Sequence, residues 1–344
     1  MKSLSCITVQ PAIILIAAGL ILACCVMPVS AVTVMDDAGT VITLNEPPSR
    51  IVSLAPSNTE ILAALGLLDM VVGVTDACDY PPEVKNIPRI GGYASISIER
   101  VSAAHPDLIL ASDITPKETV QRLRALGLTV MVVSPHTIDQ MIRDIRTIGG
   151  VTGEEAGADT LAANLSTRLA AIAPAGAAAG RPTVAHVIWN KPLYVSGNDT
   201  LQDDAIGYAG GKNAFGDRNR WCTVSLEEFL VKNPDIIIVS GGGGMGNATR
   251  DVIFEDFMTS PKYAALSAVK NHRVYTVNAD AISRAGPRIV DATEQVAADI
   301  RVPVNPADGI VWGSTTPAAR APGFSAGSTA LLIGLMIGLH RSRA

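Results

Sequence analysis

The sequence predicts an α/β protein whose two lobes share one plan and are joined by a long helix. The first observation is a phrase that occurs twice: a polar cap, a short helix, a Pro-Asp turn and a continuous apolar run. Such a run is typical of a strand that is buried on both faces of a parallel sheet. The two copies are in register, because one offset relates their matching residues: Ser97 and Ser225, Glu99 and Glu227, Pro106 and Pro234.

The other elements follow in chain order. Apolar runs predict strands of the first lobe at 51–54, 71–74, 108–110 and 130–133, separated by helical stretches such as 59–67 and 120–126. Ser57 is predicted to cap the helix from Thr59 onward. Helical spacing from 154 to 173 predicts the linking helix, and further apolar runs predict strands of the second lobe: 184–188, 236–239 and 274–277.

These elements predict a domain organisation. The first lobe occupies 49–150, the linking helix 151–178 and the second lobe 179–302. Two β/α lobes joined by one helix form a cleft between them, which is the usual place for a ligand in such proteins.

Composition excludes several classes of function. Of the 344 residues 48% are hydrophobic and 17% charged, which is ample for two cores of ordinary size. A net charge of −5 and the lack of a Lys/Arg-rich run argue against nucleic acid as a partner. The sequence contains no Gly-x-Ser-x-Gly elbow, and its histidines lack the spacing of metal ligands. We therefore predict no catalytic site, no metal site and no cofactor.

The start of the chain predicts export. An apolar run at 12–23 follows Met1-Lys2, and small residues at 29–31 suit a signal peptidase, so 1–31 is interpreted as a cleaved signal peptide. Attachment of lipid to Cys24 is the alternative.

The end of the chain predicts a membrane tether. The spacer at 303–322 is rich in Pro, Ala, Thr and Gly, and the tail at 323–344 is a short apolar segment with basic residues at its end. Pro322-Gly323-Phe324 resembles the Pro-Gly-Phe sorting signal of archaeal surface proteins, in which the tail is cut and replaced by lipid. A simple C-terminal anchor is the alternative. Either interpretation places the folded part outside the cell.

A set of motifs in a fixed order resembles the substrate-binding proteins of cobalamin and iron-siderophore ABC importers, and their cobalamin-binding branch most of all. The likeness covers 49–300 and implies two Rossmann-like lobes joined by a long rigid helix, the class III periplasmic-binding-protein architecture. The motifs are at 50–60, 72–74, 79–82, 98–108, 210–215 and 283–288.

The resemblance also implies a function. The protein would capture a corrinoid, cobalamin, between its lobes and deliver it to an ABC permease with its ATPase, without catalysing a reaction. A ferric siderophore or haem is the alternative ligand within the same fold. A surface enzyme or a structural surface protein is the alternative from another class.

The resemblance assigns Glu99 and Glu227 as the residues that dock on arginines of the permease. These are the glutamates that the internal repeat places at matching positions. Two carboxylates far apart on one surface would orient a basic partner and speed its encounter. The alternative is that each glutamate only supports the start of its helix.

The resemblance further assigns ligand-binding residues in the cleft: Tyr93, Tyr194, Trp221, Asp280 and Arg284. Aromatic side chains suit the broad, partly apolar face of a corrinoid, and polar groups suit its amide side chains. Asp280 and Arg284 are four residues apart, so on a helical turn they would share one face.

The sequence departs from the cobalamin-binding pattern at Ala77 and Ser112, where aromatic residues are expected. A less aromatic pocket would also suit another corrinoid, a haem or an iron chelate. Cys78 and Cys222 are the cysteines that remain after removal of the signal peptide, and the resemblance places one on each lobe near the cleft. An exported protein can form a disulfide between them, or both can be free thiols.

Overall fold

A computed structural model of the protein describes residues 31–172, 180–242 and 252–302. The predicted signal peptide up to residue 30, the lipid-attachment alternative at Cys24, the spacer at 303–322 and the tail at 323–344 lie outside these residues. Within the described ranges, none of the helices combines the length and the apolar character needed to cross a membrane.

The first lobe follows the predicted β/α order. Its elements are β1 (Val32–Met35), β2 (Val41–Leu44), β3 (Ile51–Ser53), α1 (Pro56–Ala64), β4 (Val71–Val74), β5 (Gly91–Gly92), β6 (Ser95–Ile96), α2 (Ile98–Ala103), β7 (Leu108–Ala111), α3 (Lys117–Ala125), β8 (Val130–Val132) and α4 (Ile138–Thr152). The main sheet has the strand order β4-β3-β7-β8, and all its pairings are parallel. Every residue of β3 and β7 is buried, as an apolar run between two helical layers requires.

The linking helix is α5 (Glu155–Ala171), which has 17 residues and is about 25 Å long. It follows α4 after a sharp turn at Gly153, whose φ of 76° is the left-handed conformation that glycine adopts without strain. The first residues of the predicted range 151–178 thus belong to α4, and 173–179 lie outside the described residues. Arg168 of α5 bonds to Asp291 and Glu294 of the second lobe, at 2.5 Å and 2.6 Å.

The second lobe has a mixed sheet. Its elements are β9 (Thr183–Asn190), β10 (Leu193–Ser196), α6 (Leu201–Tyr208), β11 (Lys212–Asn213), β12 (Trp221–Thr223), α7 (Leu226–Lys232), β13 (Ile236–Gly241), α8 (Val252–Thr259), α9 (Ser267–Lys270), β14 (Val274–Asn278), α10 (Ala279–Ser283) and α11 (Arg288–Arg301). The strand order is β12-β10-β9-β13-β14, and β11 also pairs with β9. The strands β9, β13 and β14 are parallel, whereas β10 is antiparallel to both its neighbours.

The structure confirms the predicted repeat. The side chain of Ser97 caps α2 by accepting a bond from the Arg100 amide at 3.2 Å, and that of Ser225 caps α7 by accepting one from the Glu228 amide at 3.0 Å. In each lobe the capped helix leads into a buried parallel strand, β7 or β13. Matching sequence therefore gives matching local structure in the two lobes.

The repeat extends to a contact that the sequence did not reveal. Asp107 precedes β7, and its carboxylate accepts bonds from the amide and hydroxyl of Ser49, both at 2.8 Å. These bonds hold the pKa of Asp107 below its usual range. Asp235 precedes β13 and accepts bonds from the amide and hydroxyl of Thr183, at 2.8 Å and 2.7 Å. Each aspartate thus fixes the chain where it enters the first parallel strand of its lobe.

The first helix, α1, begins earlier than predicted. The structure starts α1 at Pro56, and its N-cap Ala55 makes no side-chain cap bond, so the prediction that Ser57 caps a helix from Thr59 is wrong. Proline favours the first helical turn because its φ is fixed and its missing N–H is not needed there. The earlier start carries Glu60 to the middle of α1, where it is buried.

One apolar cluster continues from the first lobe through α4 and α5 into the second lobe. Ile145, Leu165 and Val296 belong to it, and each is at least 98% buried. The opposite face of each sheet has its own cluster, built around Ile109 in the first lobe and Phe229 in the second. The shared cluster makes the helical side of the two lobes one packed unit.

Gly149 allows α4 and α5 to approach each other closely. A Cβ at this position would collide with the Cβ of Ala158 and lie 3.0 Å from the Glu154 carbonyl oxygen. We expect Gly149→Ala to lower the free energy of unfolding by about 1–3 kcal/mol, as overpacking does. Gly150→Ala on the same helix meets nothing within 4 Å and should raise it by about 0.5–1 kcal/mol. Urea unfolding measures both, and equal shifts would contradict the close approach.

Candidate functional site

A cavity of about 180 Å³ lies between the lobes. On the first lobe it is lined by the segments that follow β3, β7 and β8, including Ser112. On the second lobe it is lined by the start of α6, by Trp221 and by the segment around Arg284. The carboxyl ends of parallel strands meet at one edge of a sheet, which explains why three separate loops of the first lobe converge here.

Two polar contacts cross the mouth of this cavity. Arg220 Nη2 of the second lobe lies 3.4 Å from Asp113 Oδ2 of the first, and His136 Nδ1 of the first lies 3.2 Å from Asp199 Oδ1 of the second. All four residues line the cavity, and all are partly exposed to solvent. These contacts join the two lobes beside the cavity.

A buried carboxylate joins the lobes behind the mouth. The side chain of Glu60, on α1, is only 2% exposed. Its Oε1 lies 3.0 Å from Arg284 Nη1 and 2.5 Å from Arg288 Nη2, and its Oε2 accepts a bond from Arg288 Nε at 2.9 Å. Both arginines belong to the second lobe, so one carboxylate of the first lobe holds two cations of the other.

Arg284 is shared among further carboxylates. Its guanidinium lies 2.7 Å from Asp79 Oδ1 of the first lobe and 3.0 Å from Asp280 Oδ1. Burial acts to raise the pKa of Asp79, but the bond and the positive charge of Arg284 outweigh it and lower that pKa. Asp280 and Arg284 do share one face, as their spacing predicts. Arg284 therefore lines the cavity while it is held by carboxylates from both lobes.

The predicted aromatic residues differ in their distance from the cavity. Trp221 lines it, is 38% exposed, and donates a bond from Nε1 to Gln202 Oε1 at 3.1 Å. Tyr194 is half-buried on β10, and Tyr93 is half-exposed between β5 and β6. The structure thus brings Trp221 and Arg284 to the cavity and places Tyr93, Tyr194 and Asp280 outside its immediate lining.

Glu99 and Glu227 occupy equivalent places in their lobes. Each is exposed in the first turn of a short helix, α2 or α7, two residues after the capping serine. Backbone hydrogen bonding and a bond from the Ser97 hydroxyl at 3.0 Å lower the pKa of Glu99. Both positions suit a carboxylate that meets a partner, and also one that supports a helix N-terminus.

The two cysteines are free thiols in the structure. Cys78 is 99% buried in the first lobe, where the Thr59 hydroxyl donates a bond to its sulfur at 3.2 Å. Cys222 lies on β12 and packs against the apolar cluster of the second lobe. The disulfide that the sequence left open is therefore not formed here.

His186 has a structural role on β9. It is 99% buried, with Nδ1 2.8 Å from Ser196 Oγ and Nε2 3.0 Å from Ser240 Oγ. Burial lowers its pKa to about 4, so the ring is neutral at pH 7. Across the described ranges, no three side chains of His, Cys, Asp or Glu are grouped so that they could hold a metal ion.

Sequence reasoning missed Glu60, Arg288 and the four residues at the mouth. Glu60 closes the motif at 50–60 and Arg288 closes the motif at 283–288, so membership of a motif was the signal that could have singled them out. No local pattern pairs Asp113 with Arg220 or His136 with Asp199, because each pair joins distant segments.

Comparison with known proteins gives one consistent result. The model of the periplasmic binding protein family matches residues 51–281. The substrate-binding lipoprotein YvrC of a Bacillus subtilis (strain 168) ABC transporter, itself uncharacterised, is 31% identical over 277 residues, which cover 78% of this chain and 85% of the relative.

Two solved structures are similar in fold and sequence. The periplasmic vitamin B12 binding protein BtuF of Vibrio cholerae is 30% identical, with a TM-score of 0.66, and the match covers 74% of this chain and 98% of that one. The apo form of the periplasmic heme-binding protein RhuT from Roseiflexus sp. RS-1 is 27% identical, with a TM-score of 0.63, and the match covers 73% and 97%. The two likenesses are of similar extent.

Proposed function

Because this chain belongs to the periplasmic binding protein family and is a substrate-binding protein of an ABC importer, we propose that its ligand is a corrinoid, cobalamin. The observation that carries the proposal is the cavity between the lobes, where Trp221 and Arg284 combine an aromatic surface with a polar group. The likeness to vitamin B12-binding proteins, at 30% identity over most of the chain, supports the same ligand.

The cavity of about 180 Å³ is smaller than most ligand pockets, which measure about 300–1,000 Å³. Binding therefore requires the lobes to separate at the mouth, which breaks the contacts of Arg220 with Asp113 and of His136 with Asp199. Both contacts are partly exposed, and exposed pairs are worth only about 0–1 kcal/mol each. The mouth is thus held by contacts weak enough for a ligand to displace.

A haem or a ferric siderophore is the second candidate. The likeness to a heme-binding protein is nearly as extensive as that to the vitamin B12 binding protein. Ser112 also favours it, because this residue lines the cavity where the cobalamin-binding pattern has an aromatic side chain.

Delivery to the permease completes the proposal. Glu99 and Glu227 are exposed on matching helices and would each meet basic residues of the permease dimer. Export by the signal at 1–31 and retention by the tail at 323–344, or by its lipid replacement, would keep the protein at the outer side of the membrane.

Calorimetric titration of the purified chain tests the ligand. We expect saturable binding of one cyanocobalamin per chain, with haemin and a ferric hydroxamate at least about tenfold weaker, which is 1.4 kcal/mol. Tighter binding of haemin or of the ferric hydroxamate would replace the corrinoid by the second candidate. A chain that binds none of the three would contradict the transport function.

A further inference from the structure

Three aromatic side chains lie on one face of the sheet in the second lobe, and we call them the aromatic band: Trp189, Tyr194 and Trp221. Tyr194 pairs directly with Trp189 across β9 and β10, and Ser196, two residues along β10, pairs directly with Trp221 of β12. Directly paired residues of antiparallel strands point to the same face, as do residues two apart on one strand. The three aromatic residues therefore share a face.

A bulge in β9 places Trp189 on this face. Val187 pairs with Val195, whereas Trp189 pairs with Tyr194, so β9 contains one extra residue between these two pairs. Val187 and Val195 belong to the apolar cluster of the second lobe. In a regular strand Trp189 would face that cluster together with Val187, and the bulge turns it to the other face of the sheet instead.

Trp189 is held in place although it is exposed. Its side chain is 51% exposed, and its Nε1 donates a bond to the Lys191 carbonyl oxygen at 3.0 Å. A solvent-exposed patch of large apolar side chains that continues from a cavity is typical of a binding surface. Strand spacing and rise put the Trp189 and Trp221 backbones about 12 Å apart. The band is thus an extended surface that begins at the cavity and ends at the β9–β10 hairpin.

We propose, on the basis of the proposed function, that Trp189 contacts the transported ligand and that the aromatic band recognises a broad, flat, metal-bearing macrocycle. Aromatic rings stack on flat apolar faces. A macrocycle that spans the distance of about 12 Å between the two tryptophans would extend from Trp221 to the β9–β10 hairpin. A compact iron chelate held near Trp221 would not reach Trp189. The corrin and the porphyrin macrocycles share this chemistry.

The test compares Trp189→Ala with Trp189→Phe, which keeps an aromatic ring, and with Met35→Ala, which removes an apolar side chain that is 69% exposed on the first lobe. Dissociation constants for cyanocobalamin, haemin and a ferric hydroxamate are measured by calorimetry on the full chain. We expect Trp189→Ala to weaken binding of the preferred macrocycle about tenfold, as loss of an aromatic contact does, while Trp189→Phe and Met35→Ala bind nearly as the wild type does. Thermal unfolding of each variant shows that it is folded.

The outcomes separate this inference from the function on which it rests. If the wild type binds a macrocycle and Trp189→Ala binds it equally well, the inference is overturned and the transport function stands. If Trp189→Ala weakens the ferric hydroxamate as much as the macrocycle, the assignment of a broad flat ligand is wrong. If the wild type binds neither macrocycle, the inference and the proposed corrinoid ligand fail together. Comparison of the cyanocobalamin and haemin titrations identifies which macrocycle the band receives.

Discussion

Replacing Glu60 with alanine is expected to lower the free energy of unfolding by about 3 kcal/mol, at the lower end of the loss seen when a buried ion pair is broken. The substitution leaves the guanidinium groups of Arg284 and Arg288 without the 98%-buried carboxylate that both contact. The loss stays at the lower end because Arg284 keeps Asp79 and Asp280 as partners. Urea unfolding of the wild type and the variant measures the difference.

Asp79→Ala is the matched control for Glu60→Ala. Asp79 also bonds to Arg284, but its side chain is 57% exposed, so its removal should cost no more than about 1 kcal/mol. Glu60→Gln keeps the volume and an acceptor oxygen of the side chain. Its loss in the free energy of unfolding should lie between those of Glu60→Ala and Asp79→Ala. A Glu60→Ala loss no larger than that of Asp79→Ala would show that the buried carboxylate does not hold the lobes together.

Reversing the charge at both glutamates proposed to dock on the permease, Glu99→Lys with Glu227→Lys, is expected to abolish uptake while ligand affinity stays unchanged. Both carboxylates are exposed in the first turns of α2 and α7, away from the residues that line the cavity. Two lysines would face the basic residues proposed for the permease, and like charges at an interface repel. Uptake of labelled cobalamin is measured in cells of the source organism that lack their own copy, and affinity is measured by calorimetry.

A control pair separates docking from support of the helices. Glu46→Lys with Glu155→Lys makes the same change of charge, and Glu155 is likewise exposed in the first turn of a helix, α5. Loss of helix support at Glu155 costs about 0.3–1 kcal/mol and should leave uptake intact. Uptake that survives the Glu99 and Glu227 reversal, or that the control pair abolishes equally, would remove the docking assignment.

Local signals predicted the repeated plan because each of its parts is encoded within a few residues. Ser97 and Ser225 are polar caps before short helices, and the apolar runs after Pro106 and Pro234 are strands in both lobes. The pairing of Asp280 with Arg284 could equally be predicted from the sequence, since it depends only on a separation of four residues within one turn.

Contacts between distant segments were beyond such reasoning. Glu60 looks like an ordinary polar residue near a helix start, and nothing near it in the sequence shows that it meets Arg284 and Arg288 across the lobes. Trp189 was missed for a related reason. Its face depends on the bulge in β9, and that bulge exists only through the pairing with β10.

The position of Arg284 links ligand binding in the cavity to the arrangement of the two lobes. It lines the cavity, and it is also bonded to Glu60 and Asp79 of the first lobe. A ligand that binds one arrangement of the lobes more tightly shifts the equilibrium toward it, and thermodynamic reciprocity requires that arrangement to change the affinity by the same factor. A permease that holds Glu99 and Glu227 in an arrangement of the lobes other than the one the ligand prefers would therefore act as a negative effector of ligand binding.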